Sequence, residues 1–235
     1  MATTVGYNER LFSGSGLRSY YHFARYHWLR AMLERHTSGP LRVVELGCFD
    51  ARAVDHMPPR LQEYVGFDAN WENGLDIGRE RLRGRPEARL VETKSPDALK
   101  RLADASFNVA IALETLEHID TPVMREYLAE LARVTDGTLF VSVPNEMGPV
   151  FLAKHLLKRL AFKSGDRYTW REVVAATLRQ PHKVARREHK GFSYVQLVEE
   201  LRAHFEIVSV TGVPRLGLPP ALSLTVGIVA RTRRT

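Results

Sequence analysis

Apolar positions along the chain follow two periods. From Leu17 to His36, Tyr20, Phe23, Ala24, His27, Trp28 and Ala31 recur at spacings of three and four, which predicts a helix with one apolar stripe and His27 as a core residue. The stretch TSGP, Thr37 to Pro40, ends that helix. Beyond it, short β-rich runs at Leu41 to Leu46, Glu63 to Phe67, Ala88 to Glu92, Phe107 to Leu113 and Thr138 to Val143 alternate with segments that can hold helices. That alternation predicts an α/β fold with a parallel sheet. Ser193 followed by Gln196 reads as a capping box, and Leu197, Leu201 and Phe205 continue its helical stripe. Two further β-rich runs, Glu206 to Thr211 and Leu222 to Ala230, flank a Gly/Pro-rich turn and predict an antiparallel pair that closes the sheet. The stretch from about 147 to 188 stands outside the alternation.

Length and composition narrow this picture. With 235 residues, 44% of them hydrophobic, the chain can bury the core of one α/β domain carrying an insertion. Its single cysteine, Cys48, can form no internal disulfide, which fits a reducing compartment. The start MATTVGYNERLF lacks a basic segment followed by an apolar one, and the late apolar run Ala221 to Ala230 is far short of the roughly 20 residues of a membrane helix. A soluble, cytoplasmic protein is expected. The net charge is +7, yet Phe151 to Lys190 alone carries eleven Lys/Arg against three acids, so the remainder is close to neutral and the basicity belongs to the insertion.

In an open α/β sheet the ligand crevice lies beyond the carboxyl ends of the strands, so the residues that follow each apolar run carry the chemistry. Those residues are Glu45 and Gly47 after the first run, Asp68 after the second, Glu114, Glu117 and His118 after the fourth, and Asn145 and Glu146 after the fifth. Gly47 permits close approach of backbone to a ligand where the chain turns from strand to helix. Asp68, twenty-one residues later, stands where a carboxylate accepts hydrogen bonds from both hydroxyls of a ribose. Read singly, Gly47 is a turn glycine and Asp68 a helix cap; read together they predict a nucleoside ligand. A nicotinamide dinucleotide is excluded, because the second and third glycines of GxGxxG are Phe49 and Arg52 here.

The stretch VVELGCFDA, Val43 to Ala51, resembles the first motif of class I S-adenosylmethionine-dependent methyltransferases, an acid-x-Gly-x-Gly-type loop. YVGFDAN resembles the second motif, FNVAIALETLEHI the fourth strand with its loop, and LFVSVPNE the fifth, so the resemblance runs over roughly Leu41 to Ala230. It implies a Rossmann-like, mostly parallel seven-stranded sheet with helices on both faces and a closing antiparallel strand. It implies S-adenosylmethionine as cofactor, with Gly47 making room for its methionine and ribose, Glu45 orienting its amino-acid end and Asp68 on the ribose. Cys48, Phe49, Ala69, Leu113 and Glu114 complete the expected cofactor wall. Residues 1–40 are expected to form a helical cap and 41–235 the methyltransferase domain, with a basic helical insertion at about 147–188. Two departures stand out: Phe49 replaces the usual second glycine, and Lys94 and Ser95 occupy the place of the usual acidic adenine contact.

Methyl transfer from a sulfonium is an in-line displacement in which alignment and water exclusion supply much of the catalysis, and a hydroxyl acceptor gains from a base of near-neutral pKa. His118, after the fourth strand, is the first candidate base, and His189, in REHKGFSY, the second. A structural role for His118 and a solvated one for His189 stay open beside these. Glu114, Glu117 and His118, at i, i+3 and i+4, would share a face on a helical turn, and His189 could complete a Mg²⁺ or Mn²⁺ site similar to the ExxEH and distant histidine of small-RNA terminal 2′-O-methyltransferases. That divalent site is the less favoured alternative, and no metal is assigned. Val150 to Lys163 mixes leucines and phenylalanines with lysines and an arginine, the pattern of a basic amphipathic helix overhanging the site. Tyr20, Tyr21, Tyr26 and Trp28 offer an aromatic wall or, more simply, core packing. The reading is O-methylation of a small or saccharide-like acceptor, anionic or lipid-linked. Two alternatives stay open: a metal-assisted RNA 2′-O-methyltransferase and a non-catalytic nucleoside-binding module.

Overall fold

The structure, a computed structural model, describes residues 17–162, 168–187, 189–214 and 218–233; the amino-terminal stretch read above for a leader lies outside them. Its strands are β1 (Leu41–Leu46), β2 (Leu61–Asp68), β3 (Ala88–Glu92), β4 (Phe107–Leu113), β5 (Thr135–Pro144), β6 (Phe205–Val213) and β7 (Thr225–Thr232). They form one sheet in the order β3-β2-β1-β4-β5-β7-β6. The first five strands pair in parallel, whereas β7 runs antiparallel to both β5 and β6. The runs predicted at Leu41, Ala88 and Phe107 have the observed bounds, and the closing antiparallel pair is present.

Consecutive residues of the inner strands feed two separate apolar layers, because strand side chains alternate between faces and a parallel sheet is covered on both. On one face Val44, Leu46, Val65, Phe67, Ala110, Leu139 and Val141 pack against α3 (Thr121–Val134) and α6 (Tyr194–Arg202) through Met124, Leu128, Leu131, Leu197 and Leu201. On the other, Val43, Tyr64, Val109, Ile111, Phe140 and Val229 pack against α1 (Leu17–His36) through Trp28, Leu29, Met32 and Leu33, with Leu75 of α2 (Gly74–Arg81). Helices therefore cover both faces. Among the described residues no helix is long and apolar enough to cross a membrane.

Three local expectations are corrected. The buried face of α1 is rotated from the predicted stripe: Leu29, Met32 and Leu33 go inward, while Tyr20, His27 and Ala31 are exposed. The larger apolar surface of the leucines and methionine decides which face turns to the sheet, and His27 lies edge-on to His56, ring centroids 5.9 Å apart. Second, Gly47 opens no α-helix; the connection from β1 to β2 is a 3₁₀ turn, Arg52–His56, cut short by Pro58 and Pro59. Third, Ser193 stands at the start of α6 without a side-chain capping bond and Gln196 is in solvent. The capping box forms instead at Thr169 and Glu172, ahead of α5 (Trp170–Thr177).

One packing detail fixes α1 on the sheet. Gly227 of β7 lacks the Cβ that would lie 2.4 Å from the Trp28 indole, and Trp28 Nε1 donates to Thr211 Oγ1 at 3.2 Å. Trp28 thus belongs to the core, not to a pocket wall. The insertion folds as α4 (Pro149–Phe162), α5 and a 3₁₀ turn, Pro181–Lys183, around a small core of Met147, Phe151, Ala175, Ala176 and Val184.

Candidate active site

Parallel pairing of β1 with β2 and β4 aligns the loops that follow them at one edge of the sheet. The loop after β1 is held open by backbone conformation: Gly47, Phe49 and Ala51 have φ of +72°, +46° and +54°. A Cβ on Gly47 would lie 2.1 Å from Thr115 Oγ1, in the loop after β4. The two loops therefore touch where only glycine fits. Phe49 keeps the left-handed backbone expected of the missing second glycine, at a cost of about 1–2 kcal/mol for a side chain. Its ring turns away from the loop onto Gly74, whose absent Cβ would meet it at 2.4 Å, and lies 6.2 Å from the Trp71 ring.

Asp68 ties the first two loops together. Its Oδ2 accepts from the Phe49 amide at 3.0 Å and its Oδ1 from the Asn70 amide at 2.8 Å, so the carboxylate closes an Asx turn instead of capping a helix. Gly47 and Asp68 consequently stand on adjoining loops, joined also by the Gly47 amide donating to the Phe67 carbonyl at 2.7 Å. Ala69 beside it is exposed, Leu113 is buried, and the Cys48 sulfur turns inward, 2.7 Å from where a Cβ on Gly66 would stand. At the end of β3 Lys94 is exposed, while Ser95 caps the 3₁₀ turn Pro96–Arg101 by accepting from the Asp97 amide.

Glu45 is buried and accepts a 2.5 Å hydrogen bond from the Tyr64 hydroxyl. Burial raises its pKa to about 8, more than the Tyr64 hydrogen bond lowers it, and nearby Asp50 pushes the same way. Asp50 itself is held by Arg52 at 2.9 Å and Arg81 at 3.0 Å. Sequence reasoning passed over Arg25. This α1 residue is within electrostatic reach of Glu45, Glu114 and Glu117, where its charge opposes the rise of their pKa values. A basic residue among the helix's apolar positions was the available signal.

After β4 the chain makes a second left-handed turn at Glu114, φ +51°. The Glu114 amide donates to the Ser142 carbonyl at 2.8 Å, and its carboxylate accepts from Ser142 Oγ at 3.0 Å. Glu114 thus faces β5, not the face predicted for i, i+3 and i+4; the turn breaks the helical spacing. Glu117 and His118 follow on a 3₁₀ turn, Leu116–His118. The Glu117 side chain is wholly buried, neither of its oxygens has a hydrogen-bond partner, and desolvation followed by the Glu114 charge raises its pKa well above the usual carboxylate range.

His189 arrives from the far end of the insertion and meets His118 with ring centroids 4.2 Å apart, T-shaped. His118 Nε2 lies 3.9 Å and His189 Nδ1 4.0 Å from Glu117 Oε1. Both imidazoles are about half exposed, at 48% and 47%, so they stand between the buried Glu117 carboxylate and solvent. Arg186, also missed in the sequence, donates to the Glu117 carbonyl at 2.6 Å and lies over the Phe192 ring, holding this segment against the loop after β4. Lys154 of α4 pairs with Glu146 at 2.7 Å.

The strand order is that of a Rossmann-like fold, and residues 43–137 match the model of the methyltransferase domain family. The fold is similar to that of solved S-adenosylmethionine-dependent methyltransferases. Its fold is similar to the methyltransferase domain of bacterial CtHen1-CN, with TM-score 0.60 and 17% identity over 90% of this chain and 99% of that one. An S-adenosylmethionine-dependent methyltransferase from Aquifex aeolicus gives 0.57 and 12%, covering 90% and 93%. The Burkholderia thailandensis 1,6-didemethyltoxoflavin-N1-methyltransferase, solved with its substrate and S-adenosylhomocysteine, gives 0.56 and 21%, covering 92% and 85%. No curated protein matches the sequence.

Proposed function

We propose that the protein transfers the methyl group of S-adenosylmethionine to a hydroxyl oxygen of a small or saccharide-like acceptor. The observation that carries this reading is the meeting of His118 and His189 over Glu117, three residues beyond the Thr115 that packs on Gly47. Proton-handling groups thereby stand next to the cofactor loop. The cleft fits the cofactor on its own terms: the Gly47 contact leaves no room for a side chain, and Asp68 keeps lone pairs for two ribose hydroxyls. When bound, S-adenosylmethionine supplies an electrophilic methyl on a sulfonium.

The chain's own contribution is orientation and proton handling. Gly47 and Asp68 hold the nucleoside, and Glu45 faces its amino-acid end. We assign His118 as the group that accepts the acceptor's proton, at Nε2, with His189 beside it as the second candidate. The basic insertion, whose exposed residues include Lys158, Arg159, Arg171, Lys183 and Arg187, supports an anionic or lipid-linked acceptor. The test is incubation with methyl-labelled cofactor and a panel of sugars, glycolipids, phenols and short RNA. Label is expected in an alkali-stable ether. Label recovered only in amines or alkali-labile esters would overturn the oxygen assignment.

A further inference from the structure

We propose that the insertion between β5 and α6 seats the protein on a lipid surface carrying anionic headgroups, with the outer faces of α4 and α5 as the contact. The proposal concerns where the protein sits, not what it transfers, and is independent of the methyltransferase reading.

The insertion buries one side of each helix and leaves large apolar side chains on the other. Phe151, Ala175 and Ala176 belong to its small core, and His155 is buried beside Phe151, ring centroids 5.7 Å apart. A step of two residues turns about 200° around a helix, so Leu157 lies opposite His155 and Val174 opposite Ala176. On those outer sides Leu156 and Leu157 of α4, and Trp170 and Val174 of α5 with Leu178 at its end, are between 46% and 73% exposed. Trp170, Val174 and Leu178 stand at i, i+4 and i+8, a row about 12 Å long. One exposed apolar residue is ordinary, but five on two neighbouring helices mark a contact surface.

Charge decides what covers that surface. Exposed Lys158 and Arg159 follow Leu157, exposed Arg171 follows Trp170, and Phe151 to Lys190 carries eleven Lys/Arg against three acids. Among the described residues of that segment the only acid, Glu172, is paired with Lys190. A second copy seated on the same patch would bring two basic segments together, since an isologous contact pairs a surface with itself. A nucleic acid would answer the charge, yet four of the five exposed side chains are aliphatic and Trp170 alone can stack on a base. An anionic membrane surface answers both features. Leucine, valine and tryptophan enter the boundary between headgroups and acyl chains, about 5–10 Å deep, while lysine and arginine stay among the headgroups. Each basic residue near such a surface strengthens binding about fivefold.

The experiment floats the full chain with unilamellar vesicles of phosphatidylcholine, alone or mixed in equal parts with phosphatidylglycerol, and follows tryptophan emission. The chain should float with the mixed vesicles and stay behind with the neutral ones, and raised salt should release it. Emission should move to shorter wavelength on binding, and that shift should vanish in Trp170→Ser, where the exposed Trp71 remains as a control. Binding should weaken at least fivefold in Trp170→Ser and at least tenfold in the double variant Arg159→Ala, Arg171→Ala. All three side chains are exposed, so the variants keep the fold. Flotation with neither vesicle, equal flotation with both, or unchanged binding in either variant would overturn the proposal. A wild type that sediments as a dimer beside a monomeric Trp170→Ser would also overturn it, because a second copy would then cover the face.

Discussion

Glu45→Gln tests the electrostatics at the carboxyl end of β1 directly. In the folded protein Glu45 titrates at about 8, against 4.5 for an unperturbed glutamate. Between those values the native state keeps a proton that the unfolded chain has released. Stability contributed by that proton is fully present below about 4.5 and is lost as pH rises through 8. Linkage sets the slope at no more than about 1.4 kcal/mol per pH unit, and integration from pH 5.5 to 7.5 gives a loss of about 2.5 kcal/mol. Glutamine imitates the protonated acid, and its carbonyl can still accept the Tyr64 hydrogen bond. Urea denaturation of the cofactor-free protein at pH 5.5, 6.5 and 7.5 should show the wild type losing this increment relative to the variant. Groups unconnected to Glu45 cancel in the difference. Parallel stability profiles for the two proteins would refute the claim that burial keeps Glu45 protonated.

Three further outcomes are expected. Asp68→Ala should abolish S-adenosylmethionine binding in calorimetry, and an unchanged affinity would remove its ribose role. Gly47→Ala must accommodate both a left-handed alanine, about 1–2 kcal/mol, and a Cβ 2.1 Å from Thr115 Oγ1. Its cofactor affinity should fall more than tenfold in the same assay, while a wild-type affinity would show that the two loops are not in contact. Gly227→Ala drives a methyl into the Trp28 indole, and overpacking of that kind should cost about 1–3 kcal/mol in urea midpoints; an unshifted midpoint would mean that α1 is loosely seated.

Much of the sheet was legible because parallel strands buried on both faces leave continuous apolar runs, and three of these, at Leu41, Ala88 and Phe107, coincide with the observed strands. That Gly47 and Asp68 stand on adjoining loops was legible too, since a glycine and an acid at fixed strand ends need only the chain order to bring them together. What could not be read is what depends on local backbone conformation or distant packing. The left-handed turn at Glu114 takes it off the face its spacing suggests. His189 and Arg186 reach the loop after β4 only because the insertion folds back on its own small core. The rotation of α1 was set by Leu29, Met32 and Leu33 rather than by the spacing that begins at Tyr20, and with it came the position of Arg25.

Glu172 gives the insertion a property of its own. This one side chain caps α5, accepts from the Ala185 amide at 3.2 Å and pairs with Lys190 at 2.8 Å, one residue beyond His189. The peptide is thereby cinched at its exit and its return, like a bag closed by a single drawstring. Sequence between the two tied points can drift, lengthen or be exchanged without moving His189 or disturbing the loops after β1 and β2. The surface of the insertion and the strand-end loops can accordingly diverge at separate rates within one lineage.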